Sequence, residues 1–213
     1  MKLRTILSQV KKIKNFSYVT PFRNGYALAI KKQDNFSCGR IVKINEDYDI
    51  QYFTQYEYKY LNPNKVKWFN GYIPVTDLDS ICRDSVVILD LNLKEVEGHR
   101  YHNIYFNRFE DNYAEIVIQA NGTKLIGVVD ENLNTILEPE AYLEIVYLDH
   151  EIFAARISNC ETLIYNVLTG EKKVVEGMPI KVCTVQGKKY YKYSIHHKYG
   201  YYDEKFRVAI PPQ

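Results

Sequence analysis

The sequence predicts an all-β fold of five repeated units, each of about 36–46 residues and four antiparallel strands. Three observations carry that prediction. A phrase recurs five times in which an apolar run ends in Asp or Asn, a turn follows, and a second β-type run begins. Its anchors are Asn45, Asp90, Asp130, Asn166 and Asp203, separated by 45, 40, 36 and 37 residues. A second turn recurs 17–21 residues upstream of each anchor, at Asn24-Gly25, Asn70-Gly71, Asp111-Asn112, Asp149-His150 and Gln186-Gly187. Tyrosine is the outlier of the composition, with 20 residues against 9 Phe and a single Trp. It suits strands that are apolar on one side and wet on the other.

The N-terminal segment stands apart. Residues 1–14 carry Lys2, Arg4, Lys11, Lys12 and Lys14 with no acid, a charge of +5, so the rest of the chain sums to −3. Leu3, Ile6, Leu7, Val10 and Ile13 follow helical spacing and predict one amphipathic helix over 3–13. The alternative is a strand completing the last repeat. Residues 207–211 already supply a fourth strand there, which favours the helix. The domain reading is a basic arm or short helix over 1–14 and a single β-repeat domain over 15–213.

An alternating strand follows each upstream turn, at 26–30, 72–75, 113–118, 152–157 and 189–193. Asn-Gly favours a tight hairpin because both central residues of a type I′ turn need positive φ. Asp or Asn at a strand end bonds backbone amides two residues on and opens the next turn. The fourth copy parses into strands near 142–148, 152–158, 162–168 and 171–176. Four short strands are the content of one propeller blade. A unit of this kind must stack on its neighbours to bury its apolar faces. The last copy ends flush with the chain and adds no cap, so a five-bladed β-propeller is the expected arrangement and an open β-repeat array the alternative.

Two stretches carry a family resemblance: Ile126-Gly-Val-Val-Asp-Glu-Asn-Leu-Asn-Thr-Ile-Leu-Glu-Pro139 and Lys198-Tyr-Gly-Tyr-Tyr-Asp-Glu-Lys-Phe-Arg-Val-Ala-Ile-Pro-Pro212. They resemble the WG-type β-repeat family of many bacterial proteins in the aromatic-Gly start, the Asp before the turn and the closing hydrophobic-Pro. The similarity covers about residues 99–213. Tyr199-Gly200 and Ile126-Gly127 stand in place of Trp-Gly, and Leu133 and Phe206 replace the family's turn glycine. Copies one, two and four lack the Gly before the anchor. The resemblance implies a repeat architecture and an interaction scaffold.

Motifs for chemistry are sparse. Glycine-rich phosphate loops and nucleophile elbows are absent. The four cysteines, Cys38, Cys82, Cys160 and Cys183, form no Cys-x-x-Cys pair. His99 and His102 are three apart, which places them on opposite faces of a strand, and adjacent His196 and His197 diverge, so no metal is expected. The repeated Asp90, Asp130 and Asp203 read as turn formers. The acids Asp77, Asp79, Glu95, Glu115 and Glu144 remain as material for a funnel-site hydrolase.

Tyrosines beside lysines are the better binding candidates. Tyr52, Tyr56, Tyr58 and Tyr60 share strand parity, and residues 189–193 and 199–202 add further rings. The expected binding residues are Tyr56, Tyr58, Tyr60, Tyr191, Tyr193 and Tyr199. A net charge of +2 argues against a nucleic-acid partner, and no apolar run reaches the length of a membrane span. The leading expectation is a non-enzymatic, cytoplasmic module without cofactor that binds another protein through a propeller face or rim. The alternative is a binder of sugars or nucleotides with repeated sites between blades. Richness in Lys, Asn, Ile and Tyr fits a bacterium or phage.

Overall fold

The computed structural model describes residues 12, 14–22, 24–31, 40–54, 58–60, 71–77, 86–106, 109, 112–149 and 151–213. Apart from Lys12, the helix expected over 3–13 lies outside them, as do Tyr56 and Asp79. The described residues form five four-stranded antiparallel sheets in which neighbours along the chain are neighbours in the sheet. This is the all-β, five-by-four pattern that the turns predict.

Sheet 1 contains β1 (Phe16–Val19), β2 (Tyr26–Lys31), β3 (Ile41–Asn45) and β4 (Ile50–Phe53). Sheet 2 contains β5 (Tyr58–Tyr60), β6 (Ile73–Asp77), β7 (Val86–Leu89) and β8 (Glu95–Tyr101). Sheet 3 contains β9 (Asn103–Tyr105), β10 (Tyr113–Ala120), β11 (Thr123–Asp130) and β12 (Thr135–Glu140). Sheet 4 contains β13 (Glu144–Asp149), β14 (Ile152–Arg156), β15 (Glu161–Asn166) and β16 (Lys172–Glu176). Sheet 5 contains β17 (Met178–Val185), β18 (Lys188–Ile195), β19 (Lys198–Tyr202) and β20 (Val208–Ile210).

The anchors recur because one side-chain oxygen closes each turn between the third and fourth strands. Asp130 Oδ1 accepts the amides of Asn132 and Asn134, both at 2.8 Å. Asp90 does the same for Asn92 and Lys94, Asp203 for Lys205 and Arg207, and Asn45 for Asp47 and Asp49. Asn166 varies the pattern by accepting from Leu168 and Thr169. The residue three past the anchor is left-handed: Tyr48 at φ 61°, Leu93 at 61°, Leu133 at 67° and Phe206 at 51°. Glycine is the easy choice there. This chain instead places Leu93, Leu133 and Phe206 at those positions and buries them. Burial of a large apolar side chain, about 1.5–3 kcal/mol, outweighs a left-handed backbone cost of about 1–2 kcal/mol.

The chain divides into two compact units, Met1–Phe106 and Asn107–Gln213, a boundary inside the span 15–213 that the sequence reads as one domain. In the first unit, Leu28 and Ile41 of sheet 1 pack with Ile73, Val75, Val87 and Leu89 of sheet 2, and the turn residue Leu93 joins them. In the second unit, Val117, Ile126, Val128 and Leu137 of sheet 3 pack with Ile145, Phe153 and Ala155 of sheet 4. The other face of sheet 4, through Ile152, Ala154 and Ile164, meets Tyr191, Tyr193, Tyr202 and Phe206 of sheet 5. These side chains lie between stacked sheets of one unit, the level at which the alternative reading put repeated small-ligand sites.

Two lysines tie a sheet to the turn of the next. Lys43 Nζ on β3 donates to the carbonyl of Leu91 at 3.3 Å. Lys173 Nζ on β16 donates to the carbonyls of Lys205 and Phe206 at 2.8 and 3.0 Å. Each satisfies turn carbonyls that the sheet ladder leaves over.

Candidate functional site

Sheet 5 has two chemically distinct faces, set by strand parity and register. Residues paired across antiparallel strands lie on the same face. Val182 pairs with Tyr191 and Tyr191 with Tyr202, and this row belongs to the core against sheet 4. The alternate row runs Lys181, Lys192, Tyr201 and Ile210 across all four strands. Cys183 opposite Tyr190 and Ser194 opposite Tyr199 complete that second face.

The six tyrosines expected to bind a partner divide accordingly. Tyr191 and Tyr193 are only 3% and 2% exposed. Their rings stack on Phe206 and Tyr202 at centroid separations of 4.4 and 4.0 Å, so they serve the core. Burial pushes the Tyr191 hydroxyl up to about 12, with the charges of Asp149 and Glu204 adding to it. Burial also raises Tyr193. Tyr199 is 49% exposed, and the Lys192 ammonium sits over its ring at 4.0 Å. Tyr58 and Tyr60 lie on β5, whereas Tyr52, of the same parity, lies on β4 of another sheet. The tyrosine run is therefore not one strand. Thr54 ends β4 by donating its amide to the carbonyl of Ile41 and accepting the Ile41 amide on its hydroxyl, at 2.9 and 3.1 Å.

Lys192, Tyr190 and Tyr201 lie in the ring-rich stretches 189–193 and 199–202 but outside the six expected binding residues. They share the face of Tyr199 and are half-buried. Gly200 is the signal that could have found them. A Cβ at Gly200 would stand 2.7 Å from the Tyr193 ring, so Tyr193 lies over the glycine. That fixes odd-numbered residues of β18 on the core side and turns Tyr190 and Lys192 outward.

A shallow cleft of about 360 Å³ borders this face, lined by Lys188, Lys189, Tyr190, Asp203, Lys205 and Arg207 among others. Its acids are engaged. Asp203 holds its turn and pairs with Arg207 at 2.7 Å, and Glu204 accepts the Lys189 amide at 3.0 Å. Lys189 itself pairs with Asp149 at 2.7 Å.

Among the described residues, those considered for catalysis or metal binding have separate partners or places. Glu95 pairs with Arg100 at 3.7 Å and Glu144 with Arg156 at 3.6 Å. Glu115 is buried in β10. His99 Nδ1 lies 2.7 Å from the hydroxyl of Tyr101 on its own strand. His196 and His197 form the left-handed tip between β18 and β19, with φ 47° and 63°. Among the described residues no three His, Cys, Asp or Glu side chains gather to hold a metal ion, and no helix is long and apolar enough to cross a membrane.

The chain matches no family model and no curated protein. It is similar to several solved structures at low identity. An uncharacterized protein, lmo1340, of Listeria monocytogenes EGD-e aligns at 11% identity with TM-score 0.40, covering 92% of this chain and 65% of that one. BamB of Moraxella catarrhalis aligns at 12% identity with TM-score 0.34, covering 88% and 58%. The WD40 β-propeller domain of Doa1 aligns at 13% identity with TM-score 0.28, covering 83% and 60%. The chain thus spans less than two thirds of the length of each.

Proposed function

We propose that this chain is a non-enzymatic β-repeat module that binds another protein through the Tyr199–Lys192 face of sheet 5. The observation that carries the reading is the Tyr199 ring, 49% exposed. Lys192 holds one side of the ring, at 4.0 Å. A ring fixed this way loses little conformational freedom on binding, and tyrosine is among the side chains that anchor protein interfaces. The resemblance of copies three and five to WG-type repeats supports the same reading, with the cytoplasm of a bacterium or of a phage-infected cell as its setting.

Photocrosslinking tests it. The full chain with benzoylphenylalanine at position 199 is expected to give a discrete protein adduct in a host lysate. The same probe at Leu168, an exposed position in the turn between β15 and β16, is expected not to give that adduct. A lack of any adduct at 199, or identical adducts from both positions, would overturn the reading.

A further inference from the structure

We infer that the partner presents an acidic segment to this face, with its carboxylates bound by Lys181, Lys188 and Lys192. The inference rests on the protein-binding reading above and names the chemistry of the partner. Lys181 and Lys192 are direct cross-strand partners on β17 and β18. Like charges directly opposite each other destabilise a sheet. Among the described residues no carboxylate forms an ion pair with either, or with Lys188. Some other cations are paired, Lys189 with Asp149, Arg156 with Glu144 and Arg100 with Glu95. Lys124 and Lys172 also form no ion pair among the described residues, but they lie opposite Gln119 and Tyr165 and not opposite a second lysine. Of the two carboxylates at the border, Asp203 is taken by Arg207 and by the turn amides of 205 and 207, and Glu204 accepts the Lys189 amide.

Three positive charges therefore share a face with three tyrosines and no free acid. A carboxylate between Lys181 and Lys192 would turn their repulsion into two attractions, and tyrosine hydroxyls can donate to a further carboxylate. Protein fits this face better than single-stranded nucleic acid. Base stacking needs a series of open ring faces. Here Lys192 covers one side of Tyr199, and Tyr190 and Tyr201 are half-buried.

The test uses the full chain and fluorescence anisotropy at low salt. The probes are fluorescein-labelled polyglutamate, a neutral Gly-Ser peptide and oligothymidylate. Polyglutamate is expected to bind, to weaken as salt rises, and to lose roughly fivefold or more in affinity in the K181Q/K192Q variant. K12Q/K14Q, in the basic arm, is expected to leave binding intact. Lys181 and Lys188 are both exposed, so K181Q/K188Q gives a second variant that spares the Tyr199 contact. It is expected to weaken binding without lowering the melting temperature. Undiminished binding by both face variants, dependence on the arm instead, tighter binding of oligothymidylate, or no polyglutamate binding would each overturn the acidic-segment inference. If position 199 still captures a protein in lysate, the interaction reading stands and only the acidic chemistry falls.

Discussion

The Tyr193 ring stacks on that of Tyr202, with centroids 4.0 Å apart and planes 20° from parallel. The Tyr202 hydroxyl in turn donates to the carbonyl of Glu176 at 2.5 Å, linking sheet 5 to sheet 4. Gly200 makes room for this arrangement. A Cβ there would lie 2.6 Å from the Ile210 carbonyl oxygen and 2.7 Å from the Tyr193 ring. Gly200→Ala is expected to cost about 2–3 kcal/mol in urea unfolding, because backbone and a packed ring must both move. Gly122→Ala has open space around it at φ +80° and is expected to cost about 1 kcal/mol, from backbone strain alone. Equal costs would show that β20 and the ring yield freely.

Leu133 makes a less intuitive case. It is 3% exposed at φ 67°. Truncating it removes about 2–3 kcal/mol of burial. Leu133→Ala keeps the left-handed strain, whereas Leu133→Gly relieves it. Both variants are expected to be less stable than the parent, with the glycine variant above the alanine variant by about 1 kcal/mol. The reverse order in denaturant unfolding would show that the strain is not what this position resists.

Acid should loosen the fifth repeat through Asp203. Burial disfavours its charge, but the amides of Arg207 and Lys205 and the Arg207 guanidinium outweigh that effect and hold the carboxyl below its ordinary value. A depressed folded value stabilises the fold above the unfolded value, near 3.9, and the contribution disappears as pH falls through the folded value. Unfolding midpoints measured downward from about pH 5 are expected to fall in the parent. Asp203→Asn, which keeps the acceptor as Asn45 does, is expected to flatten that acid limb. An unchanged slope in the variant would exclude Asp203 as its source.

Alkali acts through the buried tyrosines. Burial raises Tyr101 and Tyr191 to about 12, and raises Tyr142 and Tyr202 to about 12 as well, with nearby acidic groups assisting. These groups keep their protons longer in the folded state. Their contribution is complete below the unfolded value, near 10, and is lost as pH rises toward the folded values. Tyrosinate absorbance is expected to rise in two stages, exposed rings first and these four together with loss of the fold. A single stage with the fold intact would contradict the burial.

The repeat was legible because its punctuation is local. Asn45, Asp90, Asp130, Asn166 and Asp203 each close a turn with bonds spanning two to four residues, which sequence displays directly. The strands of the fourth copy follow for the same reason. The division of the tyrosines was not legible from composition. Tyr191 and Tyr199 read alike as aromatic residues beside lysine, and only the Gly200–Tyr193 contact between neighbouring strands sets which way β18 faces. The tyrosine run 52–60 misled because parity continues across a change of sheet without trace. Thr54 ends the strand through a bond to Ile41, thirteen residues earlier.

The lysine clips bear on how such a chain could be rearranged. Lys43 reaches its neighbour's turn from a third strand, and Lys173 reaches its own from a fourth. Both clips end on backbone carbonyls, which the turn presents whatever its side chains, so neither grip depends on which repeat follows. Shuffling the modules would keep every hairpin and change the side chains that meet between stacked sheets, so the order of the copies is carried by the cores.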